Sequence, residues 1–331
     1  MQALVTGGSG FIGANLVRAL LKKGVGVRVL VRKTSSRKAL TGLDIEFYEG
    51  DLRDCASLGR AFQGCDLLFH TAAHYDFWAP DRRIFYDVNV GGTENILKAA
   101  RRAGIPKIVY TSTVGTLRCP ENQGKPSDET CCATEAEMEN DYKRSKFLAE
   151  QLVLRYAREG LPVVIVNPSA PIGAFDVRPT PTGKIILDFL QGKIPAYVDT
   201  GLNIIDVEDV AEGHWLAAQK GKTGERYILG NKNISLRAIY EAVAKLNCRA
   251  APRLCIPYGL AWVMALGSEV ASRFQKKRPK ISLGAVKMAR RHMYFDASKA
   301  VRELDLPQSP VEKAFAKAVG WFQSNGYLQP T

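Results

Sequence analysis

A tyrosine and a lysine four residues apart are the first side chains in this sequence that point to chemistry. Tyr142 and Lys146 lie in YKRSK, at the start of an amphipathic stretch. On a helix this spacing places both side chains on one face. A lysine ammonium near a phenol favours the phenolate and lowers the phenol pKa, which suits an acid and base catalyst. The pair predicts proton transfer, although YxxxK alone is short enough to occur by chance.

Two hydroxyl groups follow an apolar run earlier in the chain. Ser112 and Thr113 belong to YTSTVGT, and the run before them has the composition of a buried strand. Open parallel sheets bind ligands at the carboxyl edge of their strands. We therefore expect Thr113 to orient a substrate oxygen and Ser112 to lie beside the same substrate.

A glycine-rich turn stands near the first residue. TGGSGFIG, residues 6–13, sits where a first strand must turn into a first helix. Its glycines fit GxGxxG or GxxGxxG, and either pattern permits a tight turn, close approach to a pyrophosphate and close packing of helix on strand. The helix amino terminus then directs free N–H groups at the phosphates. A plain glycine-rich turn is the alternative. The residues predicted to hold a dinucleotide here are Gly7, Gly10, Phe11, Ile12 and Gly13.

The end of the second apolar run bears on which nucleotide binds. An acidic residue there would bond a ribose 2′-hydroxyl and favour NAD. The sequence instead has VRKTSSRK, residues 31–38, in which Arg32 takes the place of the acid. A guanidinium suits a 2′-phosphate. We predict NADP(H) in preference to NAD(H). The alternatives are NAD(H) binding and a set of ordinary surface cations.

The elements that must position these residues are visible as an alternation of patterns. Apolar runs rich in Val, Ile and Leu begin near residues 3, 27, 45, 66, 107 and 162, and helical stretches such as DCASLGRAFQG lie between them. Such runs are typical of strands buried on both faces. The alternation predicts an α/β fold, a doubly wound parallel sheet of the Rossmann type. We assign residues 1–168 to this dinucleotide-binding domain. A loop rich in Pro and Gly then leads into residues 169–331, a smaller, mostly helical substrate part that is partly interleaved with the first.

Taken together, the motifs resemble those of the extended short-chain dehydrogenase/reductases. The resemblance covers essentially the whole length and rests on TGGSGFIG, GDLRD, HTAA, NVGGT, YTST, YKRSK and NPSAPIG. It implies that Tyr142 is the general acid and base, that Lys146 binds the nicotinamide ribose, and that Thr113 bonds the substrate oxygen. The further cofactor contacts that it implies are Asp51 and Leu52 at the adenine, Ala72 and Ala73 beside the cofactor, and Pro168 and Ser169 at the nicotinamide.

Two groups within that family share further motifs with the chain. FHTAAHYDFWAPD, YKRSKFLAEQ and RPTPTGKII resemble the hopanoid-associated sugar epimerases, which implies epimerisation of a nucleotide sugar or a related sugar. The region of Arg32 and YTST also resembles the dihydroflavonol-4-reductase-like enzymes, so an NADPH-dependent carbonyl reductase is the alternative. A non-catalytic NADP-sensing protein on the same fold is a third hypothesis, which the presence of both Tyr142 and Lys146 disfavours. One departure is Asp206, where relatives often carry His.

Two loops should face the cleft by topology, at residues 74–83 and 176–184. Their aromatic and basic side chains could hold a ring or an anionic group, and loop packing is the alternative. The candidate substrate contacts there are Tyr75, Trp78, Arg178 and Lys184.

The net charge of +13 raises the question of anionic partners. A nucleic-acid binder usually shows a recognised module or aromatic residues among its basic ones. Neither is visible, so we expect no nucleic-acid partner. The apolar run at 256–267, followed by RFQKKRPK at 273–280, could dock peripherally on an anionic membrane surface. A packed helix with a solvated basic end is the alternative.

The seven cysteines and four histidines show no CxxC pair and no metal-ligand spacing. We therefore expect no metal site. We expect reduced thiols and a cytoplasmic location. If the docking hypothesis holds, the protein is also peripheral to the inner face of the membrane. Because the first apolar run begins at residue 3, we expect no signal segment before the first strand. The family resemblance implies a homodimer acting on a small molecule.

Overall fold

The main sheet positions the predicted site. A computed structural model describes residues 1–76, 78–118, 125–275 and 283–328. Its strands are β1 (Gln2–Thr6), β2 (Gly26–Val31), β3 (Glu46–Glu49), β4 (Leu67–His70), β5 (Lys107–Thr111), β6 (Val163–Pro168), β7 (Ala170–Ile172), β8 (Ala196–Val198), β9 (Gly201–Asp206), β10 (Arg226–Leu229), β11 (Lys232–Ser235) and β12 (Leu254–Ile256). Seven of them form a parallel sheet in the order β10-β6-β5-β4-β1-β2-β3.

Helices cover both faces of this sheet. They are α1 (Phe11–Lys22), α2 (Arg83–Tyr86), α3 (Gly92–Arg102), α4 (Asp141–Arg158), α5 (Pro181–Leu190), α6 (Val207–Lys220), α7 (Leu236–Asn247), α8 (Tyr258–Gln275), α9 (Leu283–Met288), α10 (Ser298–Leu304) and α11 (Val311–Ser324). Apolar residues of α1, α6 and α10 pack on one face, and those of α3 and α4 on the other. The predicted doubly wound fold is confirmed. Within the described ranges no helix is long and apolar enough to cross a bilayer.

The carboxyl-terminal part is built around α5, α7 and α11, which share one apolar core. It also contains two small sheets, β11-β9-β7 and β12-β8, that the sequence patterns did not predict. Strands of three to six residues in these sheets are too short to show a clear period. After β9 and α6 the chain returns to the main sheet with β10. The domain boundary at residue 168 stays a proposal.

Two local predictions differ from the structure. The stretch DCASLGRAFQG forms two short 3₁₀ turns, Cys55–Ser57 and Gly59–Phe62, instead of an α-helix. Gly59 lies between its apolar positions and disfavours a continuous helix. The loop predicted at 167–184 contains β7 and the first turn of α5, whose amino terminus is capped by Thr180.

Candidate active site

The glycine turn after β1 is shaped by backbone contacts that only glycine permits. Gly7 has a φ of +71°, and a Cβ there would lie 2.6 Å from the Ala72 backbone. A Cβ on Gly13 would collide with the Gly7 carbonyl oxygen. The Gly10 N–H donates to that same oxygen at 2.9 Å, which closes the turn. The three glycines therefore act in the GxxGxxG register.

The turn leaves a cradle open in front of α1. Gly10 is the N-cap of α1 and is exposed, and a Cβ built on it would meet only the Gly7 oxygen within 4 Å. The half-buried Phe11 and Ile12 begin the helix, where backbone N–H groups lack intrahelical acceptors. This concave, donor-lined surface fits a pyrophosphate. The residues present therefore fit the predicted dinucleotide.

Arg32 and Asp51 lie together at the carboxyl edge of β2 and β3. Arg32 follows the last residue of β2 and is exposed. Arg53 donates two hydrogen bonds to the Asp51 carboxylate and holds its pKa below the usual range, and the Arg32 charge adds to the effect. The buried Leu52 lies next to them. The exposed Arg32 thus lies at the edge where the sequence analysis expects a 2′-phosphate, and its role there stays a prediction.

Lys146 is enclosed near the middle of the site, only 2% exposed. Its Nζ donates to the Tyr110 hydroxyl at 2.7 Å and to the Thr111 carbonyl at 2.8 Å. Burial lowers the pKa of Lys146 to about 7, and the Glu150 charge opposes that shift. Two of the three ammonium protons are thus committed to the protein, which leaves one for a ligand.

Tyr142 is hydrogen-bonded to Thr113, so the structure brings the predicted catalytic hydroxyls together. The Tyr142 ring also packs against Tyr75, with centroids 4.7 Å apart. Burial raises the pKa of Tyr142, and the Thr113 hydrogen bond opposes this. The structure differs here from the expectation that Lys146 lowers this pKa, because the ammonium is directed at Tyr110 and Thr111. The protein thus keeps Tyr142 as a neutral phenol.

Two buried hydroxyls at the same edge have no protein partner in the described chain. Ser112 follows β5 and Ser169 follows β6, and each Oγ is shielded from solvent without a hydrogen bond. Their backbone N–H groups are fixed to Val166 and Leu229. Unpaired buried hydroxyls are costly, and a polar ligand would satisfy them. The position of Ser169 agrees with the predicted nicotinamide contact beside Pro168.

The alanines of the HTAA motif form the wall opposite the glycine turn. Ala72 follows β4, faces Gly7 and donates its N–H to Thr6 at 3.3 Å. Ala73 comes next and is exposed. The preceding His70 is fully buried between the Thr6 and Thr93 hydroxyls, and desolvation lowers its pKa to about 3. His70 is therefore a neutral cross-link between strands and helix α3.

The sequence analysis missed a buried polar network below Thr113. Glu150 accepts hydrogen bonds from Thr116 at 2.9 Å and Asn167 at 2.8 Å, and it pairs with Arg226 at 3.4 Å. The Asn167 side chain donates to the Thr113 carbonyl at 3.0 Å, and the Thr116 backbone N–H donates to it at 3.2 Å. The network therefore fixes the backbone of the catalytic hydroxyl. A signal was available, since Glu150 lies one helical turn after Lys146.

The predicted substrate residues fall into two groups. Tyr75 lies against Tyr142, and Trp78 lines a cleft of about 340 Å³ that also involves Arg82, Phe85, Asp141 and Glu269. Arg178 and Lys184 are exposed, and their role stays a prediction.

Asp206, the departure from the family pattern, caps α6 by accepting from the Glu208 N–H. The Lys317 ammonium lies 2.8 Å from its carboxylate. The same ammonium lies 2.8 Å from the Glu208 carboxylate, so one cation is shared by two carboxylates.

Known proteins are similar to this chain in sequence and in fold. The model of the NAD dependent epimerase/dehydratase family matches residues 3–230. The chain is 48% identical to a putative dihydroflavonol 4-reductase of Synechocystis sp., over 98% of this chain and 95% of that one. It is 37% identical to sterol demethylase protein B of Methylococcus capsulatus, over 99% and 100%. A nucleoside-diphosphate-sugar epimerase from Pseudomonas aeruginosa superposes with a TM-score of 0.82 at 25% identity, over 99% of each chain.

The family model matches most of the chain. The matched part includes the glycine turn, the buried Lys146, and Tyr142 with Thr113. The chain therefore belongs to the NAD dependent epimerase/dehydratase family and is an NAD(P)-dependent enzyme of the extended short-chain dehydrogenase/reductase type.

Proposed function

We propose that the protein is an NADP(H)-dependent reductase that converts a ketone to a secondary alcohol. The bound nicotinamide supplies hydride to the carbonyl carbon. Tyr142 donates its phenolic proton to the carbonyl oxygen, which Thr113 orients by its hydroxyl. Lys146 contributes positive charge and its remaining N–H to the ribose side of the site. The step yields the alcohol, the oxidised nucleotide and the Tyr142 phenolate, which takes a proton from solvent to restore the phenol.

Tyr142, which lies beside the Thr113 side chain and one helical turn before the buried Lys146, carries this proposal. Burial raises its pKa, and the phenol is already hydrogen-bonded to Thr113. A phenol held in its acid form is ready to protonate an oxygen that gains negative charge during hydride transfer. The name of the relative at 48% identity, a putative dihydroflavonol 4-reductase, also supports a reduction.

A hopanoid-associated sugar epimerase is the second candidate, with a nucleotide sugar or a related sugar as its substrate. It is favoured by the likeness to the nucleoside-diphosphate-sugar epimerase from Pseudomonas aeruginosa. In this reaction Tyr142 first removes the hydroxyl proton and later returns it to the ketone oxygen. The reaction ends without net oxidation, so the nucleotide must stay bound through the cycle.

The first experiment is to purify the protein, release any bound nucleotide by denaturation and identify it. A protein that emerges empty, binds NADPH reversibly and oxidises it in the presence of ketones would support the reductase. A tightly retained nucleotide that is not consumed, together with isomerisation of a sugar, would support the epimerase and overturn the first proposal.

Replacing Arg32 with Ala should weaken NADPH binding while leaving NADH binding nearly unchanged. One charge-assisted hydrogen bond contributes about 1.5–3 kcal/mol, so the Kd for NADPH should rise roughly 10- to 100-fold. Titration of nucleotide fluorescence measures both constants. Lys33→Ala is the matched control, since Lys33 is the adjacent exposed cation. Equal changes for both nucleotides would count against a 2′-phosphate contact at Arg32.

Replacing Tyr110 with Phe should move the pH profile of the enzyme. The Tyr110 oxygen stabilises the Lys146 ammonium, so its loss lowers the lysine pKa further below about 7. Since the ammonium is the working form, kcat/KM falls as pH rises through that pKa. The falling limb should move about one pH unit lower, from a hydrogen bond of about 1.5 kcal/mol. Measurement of kcat/KM from pH 5 to 9 for the variant and the unmodified enzyme tests this shift. If kcat/KM falls equally at every pH and the falling limb does not move, Tyr110 contributes packing and does not set the pKa of Lys146.

We further propose a homodimer in the cytoplasm that contacts the inner face of the membrane. The described cysteines are free thiols, which agrees with a reducing compartment. The family resemblance supports the dimer, and sedimentation equilibrium of the purified protein tests it.

A further inference from the structure

Helix α8 leaves most of its apolar surface in solvent. Its Leu260, Val263 and Val270 side chains are 53%, 60% and 48% exposed, and they lie on one face of the helix. The residues that it buries, Ala261 and Ala265, are small. The further exposed apolar residues of α8 are Trp262, Met264 and Leu266. A contiguous apolar helix face of this kind marks an interaction site.

Positive charge is concentrated in the part of the sequence that contains this helix. Residues 242–295 contain eleven Lys and Arg residues and a single carboxylate, Glu269, so this segment carries +10 of the net +13. From residue 270 to residue 295 there are eight cations and no acid. Part of the predicted basic run, residues 276–280, lies outside the described residues, and it enters here by its composition alone.

Glu269 lies on the other side of α8 from the apolar face. With Ser272 it lines the cleft that contains Trp78 and Asp141, the residue before Tyr142. The helix thus separates the cleft from the exposed apolar face. Whatever covers that face lies across α8 from this cleft.

We propose that α8 docks on the surface of an anionic phospholipid bilayer. Val263 and its exposed neighbours enter the acyl boundary, and exposed cations of the described residues, Arg253, Lys287 and Arg290, bind the headgroups. The charge decides for a bilayer over a second copy of the chain. Two copies would bring +10 segments together, which like-charge repulsion opposes. The proposal is independent of the reaction catalysed and stands or falls separately from it.

Co-sedimentation with vesicles of phosphatidylglycerol and phosphatidylcholine tests the proposal, against vesicles of phosphatidylcholine alone. In 50 mM salt the protein should bind the anionic vesicles at least about tenfold more strongly than the neutral ones, because Lys and Arg are attracted to anionic headgroups. Raising the salt to 500 mM should weaken this binding, because the ions screen that attraction. No binding to anionic vesicles at low salt would overturn it.

Variants separate the bilayer from the other occupants. The pair Leu260→Glu and Val263→Glu should reduce vesicle binding about tenfold or more, because buried apolar area and charge attraction are both lost. Val301→Glu on α10 is the matched control, since Val301 is an exposed apolar residue at 38% outside this helix. Both proteins should keep soluble NADPH binding. If the α8 variant binds vesicles normally but changes from dimer to monomer in sedimentation, the face is a subunit interface and the proposal is wrong.

Discussion

Replacing Tyr142 with Phe should lower kcat by about 10²- to 10⁴-fold, the usual contribution of a positioned general acid. The change removes one oxygen from a 9% exposed ring that packs against Tyr75, so the ring contact should survive. NADPH affinity should change less than threefold (roughly the loss of a weak hydrogen bond). Stopped-flow measurement of nucleotide oxidation separates the chemical step from binding.

The matched control for that variant is Tyr86→Phe. The Tyr86 hydroxyl donates to Asp141 at 3.1 Å, one residue from Tyr142, and has no role in the proposed proton transfer. It should retain nearly full activity. The expected loss in kcat is at least about 100-fold. If the Tyr142→Phe enzyme keeps more than about a tenth of the normal kcat, Tyr142 is not the general acid.

Replacing Glu150 with Ala should lower the free energy of unfolding by about 3–5 kcal/mol, as expected when one member of a buried ion pair is removed. The Glu150 side chain is 1% exposed. Its loss leaves the Arg226 charge uncompensated and takes the acceptor from Thr116 and Asn167. Urea unfolding followed by circular dichroism measures the change. The same loss should reduce kcat, because Thr113 is held by these partners.

Two controls distinguish this network from ordinary surface charge. Glu150→Gln keeps an oxygen acceptor for Thr116 and Asn167, so it should be clearly less destabilising than Ala. Glu94→Ala breaks only the exposed pair with Lys98, which is expected to contribute less than about 0.5 kcal/mol. If the Glu150 and Glu94 variants unfold alike, the buried network does not stabilise the fold.

The sequence predicted the sheet and its glycine turn well because both depend on local pattern. The strand near residue 163 is apolar at almost every position, and its burial on both faces follows. The conformation at Gly7 follows equally from the turn between strand and helix. Tyr142 and Lys146 were found because one helix sets their spacing.

What the sequence did not predict depends on contacts between distant segments. Lys146 finds Tyr110, 36 residues away, and Glu150 finds Arg226, 76 residues away. No periodic signal encodes such pairs, because they meet only when the strands assemble. The sign of the Tyr142 pKa shift was missed for the same reason: it depends on where the lysine ammonium points and on how completely the ring is enclosed.

The position of β10 has a consequence for how the chain folds as it is synthesised. β10 pairs with β6, yet 57 residues separate Pro168 from Arg226. A nascent chain that has just completed β6 therefore exposes an unpaired strand of sequence VVIVNP at the sheet margin. Such a margin invites pairing with other chains. About sixty further residues must be synthesised before β10 can pair with β6 and cover this edge. We therefore expect a fragment that ends at residue 168 to aggregate under conditions in which the full chain folds.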